Sequence, residues 1–94
     1  MQIKWRPKAR VELSKILKYI GERNFEAATA LHKSVVKATS ALCWHPHLYR
    51  KGRSPGTREI VVSPNYLVVY QVADHIEIVS ILHARQEYPR RDPG

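Results

Sequence analysis

The sequence predicts an α+β domain in which a helix hairpin packs on one mainly antiparallel four-stranded sheet, with the element order βααβββ. Two observations carry this prediction. Apolar residues of the first half recur at the three-to-four spacing of amphipathic helices, whereas the second half is rich in Val, Ile and Tyr and is divided by short turn signals. A short strand-like segment at the amino terminus precedes the helical region. Such elements bury their apolar faces together only as a helix layer over one sheet.

The amino-terminal segment predicts one strand followed by one helix. Residues 2–5 form the strand, and Pro7 then suits the first helical turn, where its missing N–H is harmless. Gly21 marks the end of the helix. The apolar stripe of this helix consists of Leu13, Ile16, Leu17 and Ile20.

A second helix follows after a very short connection, so the two helices form an antiparallel hairpin. Asn24 is a good N-cap, and Glu26 in the first turn suits the positive end of the helix dipole. Pro46 closes this helix. Its apolar positions are Ala28, Leu31, Val35, Ala38 and Leu42.

Three strands over residues 57–62, 66–72 and 76–82 complete the sheet as an antiparallel meander. With 94 residues the chain has room for one modest core, and we expect a single domain over residues 1–88. Residues 89–94 are rich in Pro, Arg and Gly, which predicts a flexible carboxy-terminal tail.

Composition restricts the partners and the compartment. Sixteen Lys and Arg against eight Asp and Glu give a formal charge of +8, so RNA, DNA, the ribosome or an acidic protein would be attracted. No apolar run approaches the roughly 20 residues needed to span a bilayer, and no membrane association is expected. The basic first ten residues lack the apolar region of a secretory signal, and Cys43 is the single cysteine. A cytoplasmic location is therefore expected.

Three blocks in the second half resemble the carboxy-terminal half of RelE/ParE-family toxins. They are GTREIVV at residues 56–62, NYLVVY at 65–70 and ILHARQ at 81–86. The first half agrees in kind, so the resemblance covers nearly the whole chain, and the fold of that family is the βααβββ layout. The resemblance implies a type II toxin that is neutralised by a cognate antitoxin, whose acidic disordered segment covers the basic toxin. Operator DNA would be contacted only through that antitoxin.

The resemblance leaves the toxic mechanism open between two classes. ParE-like members poison DNA gyrase by binding and need no catalytic residue, whereas RelE-like members cut mRNA on the ribosome. The three blocks are more similar to the ParE-like branch, which favours gyrase. A third hypothesis is an inactive basic domain that only binds its antitoxin and helps it to repress their operon.

The connection from residue 44 to residue 56 is long for a compact domain, which is typical of a functional loop. Its basic residues are Arg50, Lys51 and Arg53. Together with the aromatic residues Trp44 and Tyr49, they could hold phosphates and stack bases of a nucleic acid or another target. The alternative is a solvated basic loop with Trp44 and Leu48 tucked into the core.

Arg58 alternates with Ile60 and Val62 along its strand, so its side chain lies on an apolar face and needs a partner. Glu59 faces the other way. The resemblance implies a role for Arg58 in target binding or, in a RelE-like nuclease, in stabilising the phosphate during cleavage. The alternative is an ion pair with a carboxylate at the rim of the sheet.

The last strand ends close to a group of residues suited to cleaving RNA without a metal. His83, Arg85 and Tyr88 could act with Arg58 as the base, the acid and the phosphate-binding cations. Arg85 is also a candidate for target binding without chemistry. The alternative for His83 is a hydrogen-bonded residue that closes the sheet.

Cys43, His45 and His47 have a spacing that suggests zinc, but a tetrahedral site would need a fourth ligand or a water. The alternative is that Cys43 ends a helix that Pro46 breaks. We therefore expect no metal and no cofactor.

Overall fold

The computed structural model describes residues 1–86, so Tyr88, the end of the predicted domain and the predicted tail lie outside the described residues. Two helices pack on one five-stranded mixed sheet, which confirms the α+β prediction. The elements are β1 (Ile3–Trp5), α1 (Pro7–Gly21), α2 (Phe25–Ala41), β2 (Arg50–Lys51), β3 (Arg58–Ser63), β4 (Tyr66–Val72) and β5 (Ile76–His83).

The sheet has the strand order β1-β5-β4-β3-β2, with one strand more than predicted. The additional strand is β2, which pairs antiparallel with β3 at the edge of the sheet. Two residues cannot display the alternation by which a strand is detected in a sequence, so the pattern gave no signal for it.

The first and the last strands of the described chain lie side by side and run parallel. Ile3 is opposite Ile76, and Trp5 is opposite Ile78. The remaining pairings are antiparallel, as predicted for the meander. β5 therefore lies between β1 and β4 and joins the amino-terminal strand to the rest of the sheet.

Both helices begin as the sequence predicts. Pro7 occupies the first turn of α1, and the Asn24 side chain accepts a hydrogen bond from the Ala27 N–H at 3.0 Å at the start of α2. α2 ends at Ala41 with Leu42 as its C-cap, some residues before Pro46. The predicted apolar stripes of both helices pack in the main core, except for Ala28, which is buried but lies outside that cluster.

Apolar side chains cover both faces of the sheet. The main core lies between the helices and the sheet and includes Val35, Leu42, Ile60, Val68 and Tyr70. A smaller buried cluster on the opposite face consists of Leu67, Val69, Val79 and Leu82. β4 and β5 are therefore the buried centre of the domain.

A carboxylate from α1 reaches the outer edge of β5 beyond the end of β1. Glu12 Oε1 accepts hydrogen bonds from the Ser80 hydroxyl at 2.9 Å and from the Ile81 N–H at 3.3 Å. The β4–β5 register shifts at Val69 and Tyr70, so Glu12 satisfies polar groups next to a bulge. This contact fixes α1 against the sheet.

Candidate functional site

The loop between α2 and β3 exposes its largest apolar side chains. Trp44 is 82% exposed and Leu48 is 64% exposed, so neither residue is tucked into the core. Tyr49 is instead the residue that anchors the loop, because its ring meets the buried Tyr70 ring edge to face with 6.5 Å between the centroids. The loop is thus anchored at Tyr49, whereas Trp44 near its beginning is exposed.

Tyr70 and Arg58 hold the loop backbone in place. The Tyr70 hydroxyl donates to the Pro46 carbonyl at 2.9 Å. Arg58 Nη1 donates to the Tyr49 carbonyl at 2.7 Å and to the His47 carbonyl at 3.3 Å. The partners of the Arg58 guanidinium are therefore backbone oxygens rather than a carboxylate at the rim of the sheet.

Burial and charge act in opposite directions on the Tyr70 phenol. Desolvation raises the pKa of Tyr70 above its ordinary value of 10.0, and the nearby positive charge of Arg58 partly offsets that increase. Tyr70 therefore stays protonated at physiological pH and remains a hydrogen-bond donor to the loop.

The buried carboxylate of Glu59 forms a cluster with Arg50 and Arg53 on the face of the sheet opposite the helices. The Glu59 side chain is only 2% exposed and lies 3.2 Å from Arg50 Nη2 and 3.5 Å from Arg53 Nε. The Arg53 backbone N–H also donates to Glu59 Oε2 at 2.9 Å. Two of the three basic loop residues are thus tied to one carboxylate.

Lys51 and Arg58 form a like-charged pair on the other face. They lie directly opposite each other in the β2–β3 register, next to the oppositely charged pair of Arg50 and Glu59. Paired residues of an antiparallel ladder have Cβ atoms about 5 Å apart on the same face. Among residues 1–86, no salt bridge involves Lys51 or Arg58.

An open cleft of about 390 Å³ lies beside the like-charged pair. His47, Lys51, Ser54, Thr57 and Arg58 are among the residues that line it, and no lining residue is acidic. The cleft combines cationic and hydroxyl groups, so its chemistry suits an anion.

The turn that forms one wall of this cleft depends on two glycines. A Cβ atom on Gly52 would lie 2.3 Å from the Thr57 Oγ1 atom, and Gly56 has a φ of 79°, in the left-handed region. The Thr57 hydroxyl donates to the Ser54 carbonyl at 2.6 Å. The wall is therefore a tight, internally hydrogen-bonded turn.

His83 lies far from Arg58. Arg58 is opposite Tyr70 and His83 is opposite Tyr66, so four residues of β4 separate them along the strand direction. That offset is about 13 Å along the strands, with about 10 Å more across β4. The structure does not bring Arg58 and His83 together.

His83 and Arg85 do lie together at the end of β5. The Arg85 backbone N–H donates to His83 Nδ1 at 3.1 Å, and the His83 ring contacts the Tyr66 ring edge to face with 5.3 Å between the centroids. The Arg85 side chain is exposed.

Within residues 1–86, no group of three His, Cys, Asp or Glu side chains is placed to hold a metal ion. Within the same residues, neither helix has the length and apolar character that crossing a bilayer requires.

The residues from 3 to 88 match the family model described as the ParE toxin of the type II toxin–antitoxin system parDE. The chain belongs to the ParE toxin family. It is 31% identical to the protein Y4kP of Sinorhizobium fredii over 95% of this chain and 94% of that protein. It is 34% identical to Toxin RelE2 of Caulobacter vibrioides over 88% of this chain and 94% of that toxin.

A solved structure supports the fold of this ParE-family toxin. A chain of the chromosomal ParDE system of Pseudomonas aeruginosa superposes with a TM-score of 0.75 at 22% identity, covering 88% of the present chain and 95% of its own. This likeness shows the fold, and the match to the family model makes the protein a type II toxin of the ParE/RelE superfamily.

Sequence reasoning missed the buried carboxylate of this ParE-family toxin. The alternation correctly placed Glu59 on the face opposite Arg58, but it assigned Glu59 no partner. Glu59 directly precedes the apolar run of residues 60–62 and follows two arginines by six and nine positions, and this is the signal that could have revealed the cluster.

Proposed function

We propose that this toxin stops growth by binding DNA gyrase and poisoning it, and that it is not an enzyme. The observation that carries the proposal is the distance between the candidate catalytic residues. Metal-free cleavage of RNA needs a base, an acid and a cation around one phosphate, each within hydrogen-bond reach of the reacting atoms. Arg58 and His83 lie at opposite ends of β4, and no single phosphodiester reaches both.

The contacts of Arg58 also favour a role other than catalysis. Its Nη1 atom already donates to two loop carbonyls, so this nitrogen serves the loop between α2 and β3. A group that stabilises a transition state must direct its donors to the position where charge develops. A binding toxin needs only a preorganised basic surface, which the loop and the like-charged pair supply.

Two observations favour a RelE-like ribonuclease as the second candidate. A relative named Toxin RelE2 shares 34% of the aligned residues, and His83 and Arg85 lie together at the end of β5. A nuclease of this chain would have to work with His83, Arg85 and Tyr88, without Arg58.

We propose that the antitoxin covers an apolar groove of the toxin. The groove has a volume of about 610 Å³ and lies between the helix hairpin and the β3–β4 turn. Its lining includes Tyr19, Ile20, Leu31, Val62 and Tyr66. An amphipathic segment could lay its apolar face there while its acidic residues meet the basic surface. Operator DNA would then be contacted only through the antitoxin.

Two assays on the purified toxin test the mechanism. We expect the toxin to inhibit supercoiling by gyrase, or to trap cleaved DNA, and to leave translated mRNA intact in primer extension with ribosomes present. Alanine at His83 or Arg85 should change gyrase inhibition only by degrees, as interface residues do. Codon-positioned cuts in mRNA, lost in His83→Ala or Arg85→Ala, together with normal gyrase activity, would replace the proposal with the nuclease.

A growth assay distinguishes both active toxins from an inactive co-repressor. Induction of the toxin alone should halt growth, and co-expression of the antitoxin should restore it. Normal growth at confirmed soluble expression would favour the co-repressor.

A further inference from the structure

We infer that Trp44 and Leu48 form an apolar anchor of the toxin, which inserts into a pocket on the target protein. The inference rests on the proposed function, in which that target is DNA gyrase, and it adds the residues that would provide most of the binding energy. The matching surface is a concave apolar pocket in a folded protein, with acidic residues around its rim.

The two tryptophans of the chain lie in opposite environments. Trp5 is partly buried, packs against the main core and has the Arg10 guanidinium 5.9 Å from its ring centroid. Trp44 is 82% exposed, and within residues 1–86 its ring makes no aromatic or cation–π contact. Tryptophan is well buried on average in folded proteins and is enriched among the residues that dominate protein interfaces. The free toxin thus leaves uncovered the type of side chain that most often anchors a protein complex.

Leu48 lies close to Trp44 because the loop makes a tight turn between them. The Leu48 N–H donates to the His45 carbonyl at 3.2 Å, which is the hydrogen bond of a β-turn over residues 45–48. Such a turn keeps its end Cα atoms within about 7 Å, so the Cα atoms of Trp44 and Leu48 lie within about 11 Å of each other. Leu48 is 64% exposed, so two large apolar side chains share one part of the surface.

The backbone that carries the apolar anchor is fixed before any partner binds. The Trp44 N–H donates to the Ala41 carbonyl at 3.2 Å, at the end of α2. Within the turn, the Tyr70 hydroxyl donates to the Pro46 carbonyl at 2.9 Å, and Arg58 Nη1 donates to the carbonyl of the next residue at 3.3 Å. A backbone held in this way loses little conformational entropy on binding, so more of the contact energy is expressed as affinity.

The chemistry of the apolar anchor favours a protein over a nucleic acid. A base could stack on the ring of Trp44. Leu48 has neither a ring for stacking nor a donor for a phosphate, and yet its side chain is largely exposed on the same surface. An apolar protein pocket would remove both side chains from water, whereas a nucleic acid would use only one of them.

The shape of the apolar anchor favours a folded protein over the antitoxin. The resemblance implies an antitoxin with a disordered segment, and such a segment fits the apolar groove between the helix hairpin and the β3–β4 turn. Neither Trp44 nor Leu48 lines that groove. Exposed side chains on a turn need a concave partner to become buried, and a folded protein provides one.

The charges near the apolar anchor define the rim of the partner pocket. Residues 44–58 contain four Lys and Arg and no Asp or Glu. Among residues 1–86, Lys51 and Arg58 have no salt-bridge partner. A pocket with an acidic rim is therefore attracted, whereas one with a basic rim is repelled. These charges should mainly raise the association rate, and the apolar anchor should mainly slow dissociation.

The test measures binding of the full-length toxin to purified, DNA-free gyrase by biolayer interferometry. Trp44→Ala should weaken binding by roughly tenfold or more, chiefly through faster dissociation, and Leu48→Ala should weaken it in the same way but less. Phe25→Ala removes an aromatic side chain that is 79% exposed at the start of α2, and it should weaken binding by less than about threefold. Equal losses in Trp44→Ala and Phe25→Ala would overturn the inference, because exposed apolar area in general would then explain binding.

Two controls separate this role from misfolding and from the other partners. The Tm and the affinity for the cognate antitoxin should be unchanged in both anchor variants, because surface substitutions outside an interface alter stability little. A loss of antitoxin affinity instead of gyrase affinity would assign the apolar anchor to the antitoxin. In Trp44→Ala, weaker binding of a labelled oligothymidine with unchanged gyrase binding would assign Trp44 to base stacking. Either result would overturn the inference.

The two proposals fail separately. Gyrase binding by the wild-type toxin that persists unchanged in Trp44→Ala and Leu48→Ala would overturn only the apolar anchor. Growth arrest by the wild-type toxin without gyrase binding would overturn the gyrase proposal. If that arrest also persisted unchanged in the double variant of Trp44→Ala and Leu48→Ala, the apolar anchor would be overturned with it.

Discussion

The two faces of the β2–β3 pair carry similar basic residues in opposite electrostatic situations. On one face, Arg50 and Arg53 surround the buried carboxylate of Glu59. On the other face, Lys51 and Arg58 lie opposite each other beside an open cleft without a lining carboxylate. The difference teaches that basic residues of one short segment can have opposite surroundings, since two are paired with a buried carboxylate and two lie opposite each other without one.

The largest effect should come from removing the carboxylate. Glu59→Ala takes away the partner of two arginines and the acceptor of the Arg53 N–H, so we expect the free energy of unfolding to fall by about 2 to 3 kcal/mol. Urea denaturation measures the loss. Glu26→Ala, which removes an exposed carboxylate from the first turn of α2, is the matched control and should cost about 0.5 kcal/mol. Equal losses in the two variants would contradict a structural role for the Glu59 cluster.

A pair of double-mutant cycles tests the sign of the two interactions. Arg50 and Glu59 should couple favourably, whereas Lys51 and Arg58 should couple unfavourably, each by roughly 0.3 to 1 kcal/mol. Arg58→Met alone should cost about 1 to 2 kcal/mol, because two hydrogen bonds to the loop are lost. In the wild type, Arg58→Met also removes the repulsion between Arg58 and Lys51. The loss of free energy of unfolding should therefore be greater in a Lys51→Met background, where that repulsion is already absent.

The salt dependence supplies the control for these cycles. The unfavourable coupling on the exposed face should shrink as salt screens it, more than the favourable coupling at the buried carboxylate. A favourable coupling between Lys51 and Arg58 at low salt would mean that the two side chains do not repel each other.

A further prediction concerns the phenol of Tyr70, which lies beside Arg58. Tyr70→Phe should cost about 1 kcal/mol at neutral pH, because the hydrogen bond to the Pro46 carbonyl is lost. Burial raises the pKa of Tyr70 in the folded protein, so its stabilising contribution is present below pH 10.0 and is lost as pH rises through the folded pKa. The free energy of unfolding should therefore fall more steeply above pH 10.0 in the wild type than in Tyr70→Phe. If the free energy of unfolding fell equally steeply with pH in the two proteins, the Tyr70 phenol would be exposed to water rather than buried.

Periodicity predicted the elements of this fold but not how the polar side chains are satisfied. The predicted strands at residues 57–62 and 76–82 agree with β3 and β5 to within one residue, because both have continuous apolar faces. Alternation also placed Arg58 on the core side of β3. It could not reveal that two loop carbonyls satisfy Arg58, since a loop backbone has no sequence period.

For a related reason, the sequence could not predict the distances between the candidate site residues. His83 and Arg58 each end or begin a strand, and both belong to the blocks that resemble RelE/ParE toxins. Whether such residues meet depends on the strand order and the register, which place them at opposite ends of β4. The likeness of the blocks therefore indicated the family but not a shared site.

The parallel pairing of β1 with β5 has a consequence for synthesis of the toxin. A ribosome makes β1, α1 and α2 well before it makes residues 76–83, which hold β1 in the sheet. Until then, α1 lacks β5, the strand against which it packs. A product whose translation stops before β5 lacks the strand between β1 and β4, so abortive synthesis yields chains that cannot complete the toxin fold.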